Sequence, residues 1–177
     1  MSNIMTELGF ETKEDGYWLG KNRPKRSDGY VLDNVAIEFG KTLYKWAGDG
    51  DEKGCIDDAK KLLKNSYVIN YDGFELAKEL EDRFFYTGDS ELVEVCDDLI
   101  WIVRKEHTKH IIEWVRINDI VPVFTIGTVV SFNLSKTQRM GKISKIDLLE
   151  ATYTIEHLDA DGQLHNYIIN YEDVSAI

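Results

Sequence analysis

Apolar positions change their period once along this chain, near residue 120. Before that point they recur at helical spacing. Val35, Ala36, Phe39, Leu43 and Trp46-Ala47 fall three and four residues apart, which predicts an amphipathic helix from Leu32 to Ala47. A Gly/Asp-rich break, Gly48 to Gly54, precedes a shorter helix through Ile56, Ala59, Leu62 and Leu63. Tyr67-Val68-Ile69 reads as a short extended piece. Asp72 followed by Glu75 has the spacing of a capping box, opening a helix through Phe74, Leu76, Ala77, Leu80 and Phe84. After Gly88-Asp89-Ser90, a helix from Glu91 to about Lys105 would bury Leu92, Val93, Val95, Cys96, Leu99, Ile100 and Val103. Thr108 to Asn118 fits a helix or a strand by its apolar spacing, and helix is the reading adopted. At the start, Leu8–Thr12 and Tyr17–Leu19 flank an Asp-Gly turn and predict a short β-hairpin. A basic loop, Lys21 to Arg26, follows it.

Pro122 disfavours helix in its predecessor and closes the helical part. Beyond Phe124 the chain is rich in Ile, Val, Thr and Tyr in short alternating runs. Strands are predicted at Thr128–Phe132, Lys142–Ile146, Thr152–His157, Leu164–Ile169 and Ser175–Ile177, with a single turn at Tyr171-Glu172-Asp173. Short strands so closely spaced suggest a small antiparallel β-barrel. The expected class is therefore α+β. A mainly helical acidic domain, residues 1–120, carries the hairpin, and a five-stranded antiparallel β-barrel occupies residues 121–177.

Charge sharpens this division. The 177 residues carry a net charge of −11, and residues 49–98 alone hold 15 acids against 6 bases. Such a balance argues against a protein that grips nucleic acid or an anionic membrane by bulk charge. On the helix from Phe74, Glu75, Glu79 and Asp82 share one face, and on the next Glu91, Glu94 and Asp98 do likewise. Rows of this kind form a solvated face or a docking surface for a basic partner. No apolar run reaches the length of a membrane-spanning helix. Two cysteines, Cys55 and Cys96, are too few for a disulfide scaffold and fit a reducing cytoplasm. Cys96 is expected in the core and Cys55 nearer the surface.

Other motifs dissolve under their own chemistry. Asp49 to Asp57 resembles the opening of an EF-hand loop, but Lys53 and Lys60 stand where oxygen ligands are required, so no calcium site is expected. Gly40-Lys41-Thr42 copies the end of a phosphate-binding loop, yet its first glycine would fall at Val35, within the first helix. Glu106, His110 and Glu113 share a helical face without a matching partner helix, so neither a metal nor any other cofactor is expected. His157 and His165 flank the Asp159–Gly162 turn and read as a cross-strand pair. There is no nucleophile elbow and no Cys–His pattern.

The strand lengths of the last third, the opening from Gly127 to Phe132 and the Tyr171-Glu172-Asp173-Val174 turn resemble Tudor-like and KOW-like small β-barrels. That resemblance implies a peptide- or nucleic-acid-binding surface. Candidate residues for it are Lys136, Arg139, Lys142, Tyr153 and Tyr167, with Phe132 and Tyr171 as further aromatics. For the barrel the resemblance implies at most weak nucleic-acid binding, and none is expected of the acidic part. In size, charge and lack of catalytic motifs the chain is similar to phage-encoded antagonists of bacterial defence and to immunity proteins that neutralise nuclease toxins. The leading expectation is a non-enzymatic inhibitor that docks a basic partner through Glu75, Glu79, Asp82, Glu91, Glu94 and Asp98. An adaptor working through its barrel is the alternative, and an enzyme of unrecognised type comes last.

Overall fold

The structure is a computed structural model that describes residues 22–48 and 51–177. The predicted hairpin at Leu8–Thr12 and Tyr17–Leu19 lies outside the described residues. Among those described, five α-helices precede a five-stranded antiparallel sheet, an α+β arrangement. The helices are α1 (Gly29–Ala47), α2 (Glu52–Leu63), α3 (Gly73–Phe84), α4 (Ser90–Asp97) and α5 (Leu99–Ile117). Their apolar stripes meet in one cluster. It holds Val35, Phe39 and Leu43 of α1, Leu62 and Leu63 of α2, Leu76 and Leu80 of α3, Leu92 and Cys96 of α4, and Leu99 and Val103 of α5. No helix among the described residues is long and apolar enough to cross a membrane.

Gly40 sets the crossing of α1 on α2. A Cβ placed there would lie 2.5 Å from Ile56 Cα and 2.8 Å from its backbone nitrogen. Of the Gly-Lys-Thr triplet, Gly40 thus serves packing within a helix, Lys41 pairs with Glu38 at 2.8 Å, and no phosphate loop surrounds them. Cys55 is buried against this crossing, contrary to the expectation of a surface thiol.

Two further expectations change. Tyr67-Val68-Ile69 is not extended but lies in a 3₁₀ turn, Ser66–Asn70, because Asn65 Oδ1 accepts from Tyr67 N at 3.2 Å and draws the backbone closed. The long helix predicted from Glu91 divides at Asp98. Burial then follows Leu92, Cys96, Leu99 and Val103, while Ile100 is 55% exposed. Thr108 to Asn118 is helical through Ile117, as the final turns of α5.

The strands are β1 (Val129–Leu134), β2 (Thr137–Asp147), β3 (Thr152–Leu158), β4 (Leu164–Asn170) and β5 (Val174–Ser175), in the order β4-β3-β2-β1-β5. The expected barrel does not close. Closure needs the outer strands to pair, yet β4 and β5 lie at opposite edges and β5 has only two residues. The inner face is covered instead by the end of α5 and the chain after it. Trp114, Val115, Ile120 and Phe124 pack on Val130, Phe132, Ile143, Tyr153 and Ile155. A register shift between Ile143 and Lys145 breaks the β2–β3 ladder, as a β-bulge does.

One side chain from before α1 reaches into this packing. Arg23 donates from Nε and Nη2 to the carboxylate of Glu172 at 2.6 and 3.2 Å, and to the carbonyls of Glu150 and Ala151 at 2.8 and 2.7 Å. Its guanidinium carbon also sits 5.1 Å from the centroid of the Trp114 ring.

Candidate functional site

Much of the acidic excess serves the helices themselves. The first amides of a helix lack intrahelical partners and favour negative charge. Asp51 Oδ1 accepts from Lys53 N at 3.0 Å, and Asp89 Oδ1 from Leu92 N at 2.8 Å. Asp72 and Glu75 form the expected capping box, with bonds of 2.8 and 3.2 Å. Asp97, at the end of α4, accepts from Gly73 N at 2.9 Å and so fastens α4 to the start of α3. Asp58 pairs with Lys61 on α2, while Glu79 pairs with Arg83 on α3.

These uses separate the two predicted rows. In the first, Glu75 closes the capping box, Glu79 holds Arg83, and Asp82 stands exposed without a polar partner among the described residues. In the second, Glu91, Glu94 and Asp98 are all exposed, and none has a side-chain hydrogen bond or ion pair among the described residues. They line an open groove of about 660 Å³ whose other wall is Thr42, Lys45 and Trp46 of α1, with Val95 between. Trp46 is held by stacking on Tyr86, ring centroids 6.3 Å apart. None of Glu75, Glu79 and Asp82 lines this groove. A separate depression of about 480 Å³ between α3 and α4 is bordered by Phe74, Ala77, Lys78 and Glu81, with Gly88, Asp89, Ser90 and Val93 opposite.

The surface next to the acidic groove carries a residue that the sequence reading passed over. Trp101 is 62% exposed, three residues beyond Asp98, with the Arg104 guanidinium carbon 4.9 Å from its ring centroid. A stripe read as Leu92, Cys96, Leu99 and Val103 would have placed position 101 on the outside. Glu91, Glu94, Asp98 and Trp101 thus follow one another at three- and four-residue steps across the α4–α5 junction.

The sheet residues do not form the expected surface. Tyr153 is fully buried, accepts from Phe124 N at 3.0 Å through its hydroxyl, and packs on Tyr171 at 4.4 Å. Phe132 and Tyr171 are buried as well, so they offer no open aromatic cage. Tyr167 is half-buried beneath Arg139, which donates to its hydroxyl at 3.2 Å. Phe132, His157 and His165 ring it at 5.7 to 6.1 Å. Arg139 pairs with Phe132 and Lys142 with Val129 in the ladder, so the strand pleat sends these two bases to opposite faces. Lys136 sits in the β1–β2 turn with φ 70°.

On α5 the three residues of the predicted face each have a local partner. Glu106, 4% exposed, pairs with Lys109 at 2.7 Å, His110 contacts Asn34 at 3.0 Å, and Glu113 pairs with Arg116 at 2.6 Å. No group of three or more His, Cys, Asp or Glu among the described residues is placed to hold a metal. The Cys96 thiol is pushed up to about 12 by burial and then by the Asp97 charge, which keeps it protonated and unreactive.

Burial, with help from His107 and Lys109, lowers His110 to about 4, and burial also lowers His107. Below the ordinary imidazole value of about 6.5 the unfolded chain takes up protons that the folded chain refuses, so stability falls as pH falls. Urea midpoints are therefore expected to drop between pH 6.5 and 5, before carboxylates titrate, and His110→Gln should flatten that slope. A midpoint independent of pH in this window would contradict the assignment.

Comparison with family models, with curated proteins and with solved structures finds no match for this chain.

Proposed function

We propose that the chain is a non-enzymatic acidic module that docks a basic, nucleic-acid-handling partner protein through the groove between α1 and α4. The observation that carries this reading is the division of labour among the acids. Capping and ion pairing occupy Glu75 and Glu79, whereas Glu91, Glu94 and Asp98 stand together without a side-chain ion pair among the described residues, three carboxylates along a groove whose facing wall carries Trp46 and the single cation Lys45. Carboxylates at the rim steer and orient a cationic partner. Exposed or half-exposed tryptophans supply the apolar contact area on which binding energy concentrates. Trp46 within the groove and Trp101 beside it fit that role, and a Lys or Arg of the partner would meet both a ring face and a carboxylate.

An inhibitor of a nuclease-like or defence-related protein, acting in the cytoplasm, fits this arrangement. The alternative adaptor, with a Tudor-like sheet binding a peptide or nucleic acid, has less to support it. Arg139 and Lys142 lie on opposite faces, and Tyr153 is inside.

The immobilised chain is expected to capture one basic protein that elutes sharply between about 0.15 and 0.5 M salt, where screening shortens from about 8 Å toward a few ångströms. Capture that persists through that range, or a captured protein without a basic surface, would count against the reading.

A further inference from the structure

β4, at one edge of the sheet, pairs with β3 on one side and with no strand on the other among the described residues. Two backbone bonds at the ends of that pairing fix its phase: Asp159 N to Gln163 O at 3.0 Å and Tyr171 N to Ala151 O at 3.0 Å. Hydrogen-bonded and non-bonded pairs alternate along an antiparallel ladder. His165, Tyr167 and Ile169 therefore turn their amides toward β3, and Leu164, Asn166, Ile168 and Asn170 turn theirs outward.

Natural edges of this length are blunted by Lys, Pro, a bulge or an inward charge. β4 has none of these. No Asp, Glu, Lys, Arg or Pro occurs between Asp161 and Glu172, and the β3–β4 register runs without a shift. His165 is held by Asp159 Oδ2 of its own chain at 2.9 Å. The other edge, β5, is protected by its shortness. Beside this row of amides, unpaired among the described residues, Leu164 is 61% and Ile168 75% exposed, and Leu158, the partner of Leu164 on β3, is 63% exposed.

We propose that two copies of the chain join antiparallel through β4, with Asn166 on the two-fold axis, to form one continuous sheet. In that register Leu164 of each copy faces Ile168 of the other. The outward amides of Leu164, Asn166 and Ile168 then exchange bonds in matched pairs, and each exposed aliphatic side chain gains an aliphatic neighbour. Charge selects the occupant. Two copies at −11 repel one another over most of their surface, and β4 is a stretch where they do not. β4 itself carries no carboxylate for a basic partner to meet, since Glu156 opposite Asn166 belongs to β3 and Asp159 and Asp173 at its ends are held by His165 and Asn170. An identical neutral strand, by contrast, matches both its hydrogen-bond row and its apolar side chains under two-fold symmetry.

Light scattering on the full chain at about 0.15 M salt, where the Debye length is about 8 Å, should report twice the 20.4 kDa chain mass at high concentration, falling on dilution. Ile168→Lys and Asn166→Lys, both at solvent-facing positions, should return the mass to 20.4 kDa with an unchanged circular-dichroism spectrum. Under mild oxidation Asn166→Cys should cross-link into a covalent dimer, and Lys136→Cys in the exposed β1–β2 turn should not; the native Cys55 and Cys96 are buried. A chain that stays at 20.4 kDa across the concentration range would overturn the proposal, even if it captured a strand-forming peptide at this edge. So would a dimer that survives both lysine variants, or cross-linking no stronger at 166 than at 136.

Discussion

Arg23→Ala is expected to destabilise the fold by about 3 kcal/mol, with Arg23→Lys losing most of the same amount. Hydrogen bonds to charged groups contribute about 1.5–3 kcal/mol each where they are well shielded, and a guanidinium over an indole adds about 0.5–2. The Arg23 side chain is 12% exposed, whereas Glu172 is 44% exposed and regains water when its partner goes. That recovery discounts the ion pair, so the simple sum is too large. The loss falls mainly on the carbonyls of Glu150 and Ala151, which abut the buried Ala151, and on the covered face of Trp114. A lysine can reach one of these acceptors but has no planar fork to satisfy the carboxylate and both carbonyls together. Urea denaturation of the two variants measures this. An unfolding free energy within about 0.5 kcal/mol of the parent, the usual range for a neutral surface change, would mean that Arg23 is only a surface contact.

Gly40→Ala is expected to destabilise by about 1–3 kcal/mol, although alanine is the better helix former by about 1 kcal/mol. The two effects oppose each other, and geometry decides the sign. The added methyl would meet the backbone of Ile56 at 2.5 to 2.8 Å, and backbone in the middle of a packed helix does not step aside as a side-chain tip does. Separating α1 from α2 also loosens Phe39, Leu43, Cys55 and Ala59, which are buried in the same helical core. Thermal melts of this variant should show a lowered midpoint. An unchanged or raised midpoint would show that the crossing relaxes and that propensity prevails.

The helices were legible because each carries its signals locally. The capping box of α3 is spelled by Asp72 and Glu75, and the α1 stripe by Val35, Phe39 and Leu43. The break at Asp98 was harder to read, since apolar residues continue at helical spacing across it, and misplacing the stripe put Ile100 inside and left Trp101 unnoticed. Barrel closure was not legible because it depends on what covers the inner face. That cover comes from Trp114, Val115, Ile120 and Phe124, far from most of the strands they pack on.

Arg23 illustrates the same limit. In sequence it belongs to a basic loop and reads as exposed, while its partners Glu150, Ala151 and Glu172 lie more than a hundred residues away. For the candidate site, helical spacing placed Glu91, Glu94 and Asp98 on one face. It could not tell that Glu75 and Glu79 have local partners, nor that Trp46 of α1 would complete the groove.

The docking reading turns on whether the carboxylates along that groove meet the partner. Glu91→Lys, Glu94→Lys and Asp98→Lys, combined in one chain, replace exposed groups that have no side-chain partner among the described residues. Reversing Glu91 in the first turn of α4 and Asp98 at the start of α5 costs about 1 kcal/mol each through the helix dipoles, and the helical circular-dichroism signal should persist. Binding of the captured basic partner to this variant should weaken by about a hundredfold or more at 0.15 M salt, mostly through slower association. The matched control, Lys136→Glu with Lys142→Glu on the sheet, should leave affinity within about threefold. Undiminished binding by the reversed groove, with loss in the sheet control, would contradict the account and move the binding surface to the sheet.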